Sequence, residues 1–321
     1  MRTINYLFGV LFLALALTAC SRKNEEKSPA FPPPSAEEFA GVRQSFFENL
    51  VQEKSFDAST GLTFTSDKGV EVNISYLTNN GALVTGDVQL KYVELFDIGT
   101  IALANKPLLG KGTDGKVAPL VTGGEFFIKA TQNGTELDGI VDMKVPVALT
   151  QADNPEQMTG WSMDDDSTIW EQGKRTQMDF VGGATGTQAD SYYCWFPFGW
   201  TNIDWLISLP GEKTELRVKV PPGYNGSNCA VYAAYLSIPS TLAAFDIYVK
   251  DGEYFTEHTG IAPIGFQMFI IFVSADEKGE KFVYATKLVT VAANQYITFT
   301  DDDLHSATAQ QVIAAINGLY N

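Results

Sequence analysis

Apolar residues fall along this 321-residue chain in three rhythms. Residues 6–17 are almost continuously apolar; Phe39, Val42, Phe46 and Leu50 recur at helical spacing; from residue 62 onward short stretches alternate apolar with polar. The helical rhythm follows Ser35-Ala36-Glu37-Glu38. This is a capping-box sequence, in which the serine and the glutamate three residues on each bond the other's backbone N–H, and it predicts a short N-terminal helix. The alternating rhythm predicts strands at 62–64, 70–74, 84–95 and 125–129. Between them lie Asp67-Lys68-Gly69, Asn79-Asn80-Gly81, Thr113-Asp114-Gly115-Lys116 and Gln132-Asn133-Gly134-Thr135, turns built on residues that tolerate a positive φ. Residues 158–170 read as a hairpin turning at Asp164-Asp165-Asp166-Ser167. Further on, Thr214, Leu216, Val218 and Val220 face one way and Glu215, Arg217 and Lys219 the other, as in a sheet with one buried face. Residues 266–274 and 281–291 flank Asp276-Glu277-Lys278-Gly279-Glu280 as a long hairpin, and 296–299 adds a last strand. Val312, Ile313, Ile316 and Leu319 then make one face of a C-terminal amphipathic helix.

Short strands with regular turns predict an all-β chain, two β-sandwich domains in tandem. The first spans 36–186 with a hairpin extension, the second 187–321 with the C-terminal helix, and Gly182-Gly183-Ala184-Thr185-Gly186 links them. About 300 residues outside the apolar run suit two domains of ordinary size. Hydrophobic residues at 45% supply enough material for real cores.

The continuous run at 6–17 is a different signal. Arg2 precedes it and Leu17-Thr18-Ala19-Cys20 closes it, as in a secretory leader; a membrane-spanning helix needs about 20 apolar residues. The quartet resembles a lipobox, where lipoprotein signal peptidase cuts before a diacylglycerol-modified cysteine. That resemblance implies a leader at 1–19, lipidation of Cys20 and a membrane anchor to which each buried CH₂ contributes about 0.8 kcal/mol. The alternative is an ordinary cleaved leader with a coincidental cysteine. Residues 20–35, charged and then proline-rich through Phe31-Pro32-Pro33-Pro34, read as a tether that spans about 50 Å if fully extended. Glu25-Glu26 resembles the charged export signals of Bacteroidetes surface lipoproteins. The expected location is the outer membrane, with surface display slightly favoured over periplasmic.

A wider resemblance rests on Leu83-Val84-Thr85-Gly86-Asp87-Val88, Val121-Thr122-Gly123-Gly124-Glu125-Phe126, Ala130-Thr131-Gln132-Asn133-Gly134-Thr135-Glu136-Leu137 and, later, Phe198-Gly199-Trp200-Thr201-Asn202-Ile203-Asp204. These runs resemble segments of uncharacterised Bacteroidetes-type envelope lipoproteins with β-sandwich modules. The resemblance spans most of the chain beyond the leader and implies a fold and a location; it implies no activity.

Net charge is −16, and without Arg2 the chain keeps 38 acidic against 21 basic residues. Nucleic acid is disfavoured as a partner, because its binding draws on clustered Lys and Arg. Acidity suits solubility at an envelope, divalent cations or a cationic partner. Beyond Cys20 only Cys194 and Cys229 remain. In an oxidising compartment they read as a candidate disulfide contributing about 3–4 kcal/mol, with two buried free thiols as the alternative. Neither His258 nor His305 stands at zinc-site spacing from them, so no metal site is read there.

Catalytic motifs are not assembled. Gly110-Lys111-Gly112-Thr113-Asp114-Gly115-Lys116 has phosphate-loop spacing, but Val117 stands where Ser or Thr is needed, and the context is strand and turn. No Gly-x-Ser-x-Gly and no His-Glu-x-x-His occurs. His258 reads as a loop residue and His305 as part of the entry to the last helix. Asp164-Asp165-Asp166 and Asp301-Asp302-Asp303 offer oxygen ligands of the kind calcium takes, though solvated turns fit them better. Asp166-Ser167-Thr168 also resembles a short Bacteroidetes O-glycosylation signal. The densest aromatic run is Tyr192-Tyr193-Cys194-Trp195-Phe196-Pro197-Phe198-Gly199-Trp200. In a strand it places Tyr193 and Trp195 opposite Tyr192, Cys194 and Phe196. Tyr193, Trp195 and Trp200 are therefore candidates for stacking on sugar rings, with core packing as the plainer reading.

The expectation is a non-enzymatic, lipid-anchored envelope protein that binds a protein or glycan partner, with no cofactor. The alternatives are a glycan hydrolase pairing Asp164 or Asp166 with Glu171, whose carboxylates would need about 5–9 Å separation across a cleft, and a purely architectural subunit of an envelope complex.

Overall fold

The computed structural model describes residues 31–150, 154–164, 167–182, 190–257, 260 and 262–320. The expected leader, Cys20, Asp165, Asp166 and His258 lie outside them. The described residues form an all-β fold with three short α-helices: α1 (Ala36–Glu48), α2 (Ile98–Ala104) and α3 (Ala309–Asn317).

The first half is a sandwich of two sheets whose long hairpins pass from one layer to the other. One sheet runs Gln52–Asp57, Asp87–Leu95, Val117–Gln132, Gly199–Leu206, Thr159–Met163, Trp170–Gln172 and Leu109–Lys111. Its last strand also pairs with the start of Val117–Gln132, so that this end closes into a five-stranded ring. The facing sheet runs Leu62–Thr65, Glu71–Ile74, Thr135–Pro146, Ser191–Pro197 and Gln177–Val181. Val117–Gln132 enters Thr135–Pro146 through Asn133 and Gly134, both at positive φ, the two-residue turn whose twist matches the strands it joins. Alternate residues meet between the sheets: Val72, Ile74, Leu90, Tyr92, Phe126, Ile128, Val141, Met143, Tyr192 and Phe196 are all buried.

Strand Ser191–Pro197 pairs with Gln177–Val181 on one side and Thr135–Pro146 on the other, and Gly199–Leu206 pairs with Val117–Gln132. The expected boundary at 186/187 thus falls between two paired strands of one sandwich, and residues 191–206 complete the first half. Long-range pairing overrides the Gly-rich stretch, which carries no pairing information of its own.

The second half faces a five-stranded sheet (Ala243–Ala244, Cys229–Tyr235, Gln267–Ala275, Phe282–Thr290, His305–Ala307) with a four-stranded one (Ile247–Val249, Tyr254–Thr256, Arg217–Lys219, Tyr296–Thr298). The hairpin across 276–281 forms as its alternation predicts. His305 lies in an edge strand rather than an entry turn.

The halves do not sit as separate beads. One face of the five-stranded sheet closes the second sandwich through Val231, Ile270 and Phe272. The other, with Tyr232, Ile271, Val273 and Phe282, is buried in a shared interior with α1, α2, α3, Trp161, Trp170 and Trp200. In α1, Ser35 and Glu38 form the capping box, and Phe46 packs edge-on against Phe282 with ring centroids 6.1 Å apart. α2, from the first half, packs on α3, from the second. Their approach depends on Gly99, where a Cβ would lie 2.8 Å from the Ile313 carbonyl oxygen. Gly99 N–H donates to Asn317 Oδ1 at 2.9 Å, and Asn317 Nδ2 donates to Asp97 Oδ1 at 2.8 Å.

Two further expectations are corrected. The expected tether does not extend to Ser35, because Phe31–Pro34 dock on the second half: Tyr224 Oη donates to Phe31 O at 3.0 Å and Asn228 Nδ2 to Pro34 O at 2.9 Å. Cys194 and Cys229 form no disulfide; both are free and buried. Cys194 faces the interior of the first sandwich and Cys229 lies in the second half, and burial pushes both thiols up, away from reactive thiolate.

Candidate functional site

The aromatic run turns a corner. Ser191–Pro197 belongs to one sheet and Gly199–Leu206 to the other, with Gly199 at φ +98° between them. Tyr192, Cys194 and Phe196 point into the sandwich; Tyr193 and Trp195 point outward, as strand alternation requires. Trp200, beyond the corner, points into the shared interior at 5% exposure. It packs against Phe127 and Phe47 with centroids 5.1 and 5.7 Å away, and Lys106 Nζ lies 4.3 Å from its ring. The three candidates therefore do not converge. Trp200 is a core residue, while Trp195, 37% exposed, shares an open face with Tyr193.

That face is the outer side of the Leu62–Thr65 to Gln177–Val181 sheet, and the register arranges it in two rows. One row reads Thr63, Asn73, Asp142, Trp195, Gln177; the next reads Thr65, Glu71, Lys144, Tyr193, Asp179. Each aromatic ring thus has polar side chains beside it across the strands. On the Thr135–Pro146 side of each ring those side chains are held in place. Thr63 Oγ1 donates to Asn73 Oδ1 at 2.9 Å, Asn73 Nδ2 donates to Asp142 Oδ2 at 3.1 Å, and Lys144 Nζ donates to Glu71 Oε1 at 2.9 Å. The Glu71 carboxylate raises the Lys144 ammonium pKa, first through this hydrogen bond and then through its charge. A shallow groove of about 300 Å³ lies along these residues. Aromatic faces flanked by fixed donors and acceptors can stack on the apolar face of a sugar ring and bond its hydroxyls.

A larger cleft of about 730 Å³ opens where α1 and the end of α2 meet the second half, with Arg43, Lys106, Trp200 and Tyr232 among its walls. Arg43 Nη2 donates to Tyr232 Oη at 2.8 Å, and that hydroxyl lies 2.7 Å from Asn105 Oδ1. These contacts tie α1 to both halves.

The remaining candidates are surface features. Asp164 is exposed and Glu171 half-buried, and both reach Lys174 Nζ, at 3.2 and 2.9 Å. Gly112 to Lys116 is a hairpin turn in which Gly112 N–H bonds Lys116 O and Lys116 pairs with Asp114. Asp301–Asp303 is a 3₁₀ turn with Asp303 capping Thr300 and paired to Lys287 at 2.7 Å. Among the described residues, no group of three or more His, Cys, Asp or Glu side chains is placed to hold a metal ion.

Sequence reasoning missed Asn73, Asp142 and Lys144. Their outward position was legible in the alternation of Glu71–Ile74 and Thr135–Pro146, but their adjacency to Trp195 and Tyr193 depends on register. Comparison with known protein families finds no matching model, and comparison with curated proteins finds no match.

Proposed function

We propose that this is a lipid-anchored cell-envelope protein, not an enzyme, that binds a glycan through the outer face carrying Tyr193 and Trp195. Anchorage rests on the leader and the lipobox cysteine Cys20, and outer-membrane display on the acidic pair behind it. The observation that carries the binding reading is the two-row array, with two outward aromatic rings on a sheet whose neighbouring side chains are polar and mutually oriented. Aromatic truncation at an exposed position should remove binding without unfolding the chain.

The test is a glycan array probed with the purified chain. Wild type should give signal, and Trp195→Ala and Tyr193→Ala should each lose about 2- to 13-fold in affinity, since such stacking contacts are worth about 0.5–1.5 kcal/mol, with unchanged melting temperatures. Equal binding by Trp195→Ala, or no binding of the wild type to any envelope or host glycan, would overturn the reading. In the latter case, retrieval of an envelope protein by the same face would favour the architectural alternative. The hydrolase alternative gains nothing from Asp164 with Glu171, which share one lysine; Asp166, the other partner in that reading, lies outside the described residues.

A further inference from the structure

Four oxygen-bearing side chains meet in the interior: Thr122 and Glu125 on one strand, Asn202 and Asp204 on its neighbour. Each is at most 1% exposed. They face one another because of an irregularity in the pairing. Asn202 lies opposite Glu125 and Asp204 opposite Thr122, so two steps on one strand match three on the other. In a regular strand residues three apart point to opposite faces. The extra residue at Gly123-Gly124 restores the phase and turns Thr122 and Glu125 to the same side, the re-aiming that β-bulges provide. Gly124 sits at φ +129°, and a Cβ there would lie 2.6 Å from the Phe96 ring.

The two carboxylates are poorly satisfied. Asn202 Nδ2 donates to Asp204 Oδ2 at 2.5 Å, but neither Asp204 Oδ1 nor either oxygen of Glu125 meets a hydrogen-bond donor among the described residues. Glu94 shows how the same fold treats another buried carboxylate. It accepts from Ser66 Oγ, Tyr92 Oη, Lys68 N and Gln52 Nε2 at 2.7–3.2 Å. Lys106 offsets part of the Glu125 charge, and donors on Thr122, Gly123 and Asn202 offset part of the Asp204 charge, but two fully buried ionised carboxylates side by side remain strongly unfavourable, so the pair needs a further countercharge or a proton.

We propose that Glu125, Asp204, Asn202 and Thr122 form a buried calcium site. Two carboxylates balance a divalent charge, and the free carboxylate oxygens, the Asn202 amide oxygen and the Thr122 hydroxyl are the hard oxygen donors that calcium takes with flexible geometry. Magnesium is a poor fit, because it dehydrates reluctantly and keeps waters that this solvent-excluded location does not supply. Thr122 and the Ser240 carbonyl join the halves here through a 2.9 Å backbone hydrogen bond, so an ion at this point would brace the junction.

The test is thermal unfolding of the purified full chain, stripped with chelator and then titrated with calcium chloride or magnesium chloride. Calcium at about a hundredfold excess over its Kd should raise the melting temperature by about 5 °C, and magnesium by much less. Glu125→Gln and Asp204→Asn should abolish the calcium response, and Glu125→Gln should melt no lower than the calcium-free wild type at neutral pH. A second readout needs no variant: Trp161 Nε1 donates to Asp204 O at 2.9 Å, so terbium in the site should emit on tryptophan excitation and be displaced by calcium. A wild type with neither a calcium shift nor calcium-displaced terbium emission would overturn the proposal and leave a proton-sharing carboxyl pair. A calcium shift retained in both variants would equally overturn it.

Discussion

Glu125 and Asp204 also carry a pH signature. Burial pushes both carboxyls well above their ordinary range; for Glu125 the neighbouring Asp204 adds to this and Lys106 opposes it, while for Asp204 donors on Thr122, Gly123 and Asn202 offset part of it. A carboxyl whose folded-state pKa lies above its unfolded value of about 4 binds its proton more tightly in the folded chain. Stability therefore falls as pH rises from about 4 through the raised value. With chelator present, the melting temperature should decline as pH rises above about 4, and Glu125→Gln should flatten that decline. An unchanged slope in the variant would assign it to other groups. None of this was legible in the chain order, where Glu125 and Asp204 stand far apart and read as ordinary strand residues. Cys194 and Cys229 teach the same lesson in reverse: their number invited a pair, but long-range strand pairing sent each thiol into a different sandwich.

Among the elements, α1 was readable because both of its signals are local. Ser35 and Glu38 cap it, and Phe39, Val42 and Phe46 all fall on its buried face. α2 was not, although Asp97 caps it by accepting from Thr100 N–H at 2.8 Å and Asn105 ends it in the left-handed region. Six of its seven residues are buried, so it has no polar face and no amphipathic period to detect. The two signals in α1 should separate by size. Ser35→Ala should lower unfolding free energy by about 1 kcal/mol, the usual worth of an N-cap. Phe46→Ala should lower it by about 3–5 kcal/mol, because Phe46 fills the shared interior against Phe282. Denaturant titration checks both, and equal losses would mean that α1 contributes helix ends but no core.

For the molecule as a whole, the halves share one interior, and α1, α2 and α3 cross between them. Strands 191–206 belong to the first sandwich although they follow the Gly-rich stretch. Calorimetry should therefore show one cooperative transition with matching calorimetric and van't Hoff enthalpies. Two resolved transitions would show that the shared interior does not couple the halves. Pieces cut at 186/187 should not fold separately, since the first would lack the two strands that close its sandwich.

By itself the sequence determined what depends on neighbours in the chain: the capped helix at Ser35, the hairpins at Asn133-Gly134 and across 276–281, and the all-β class. Its alternation also determined that Tyr193 and Trp195 share a face opposite Tyr192 and Cys194. Tertiary structure alone decided which sheet each strand joins, and so the fate of Trp200, the separation of the two thiols, the polar frame around Trp195 and the meeting of Glu125 with Asp204. The physical reason is that period and turn chemistry are local, whereas register and the burial of a second face are settled only when distant strands pair.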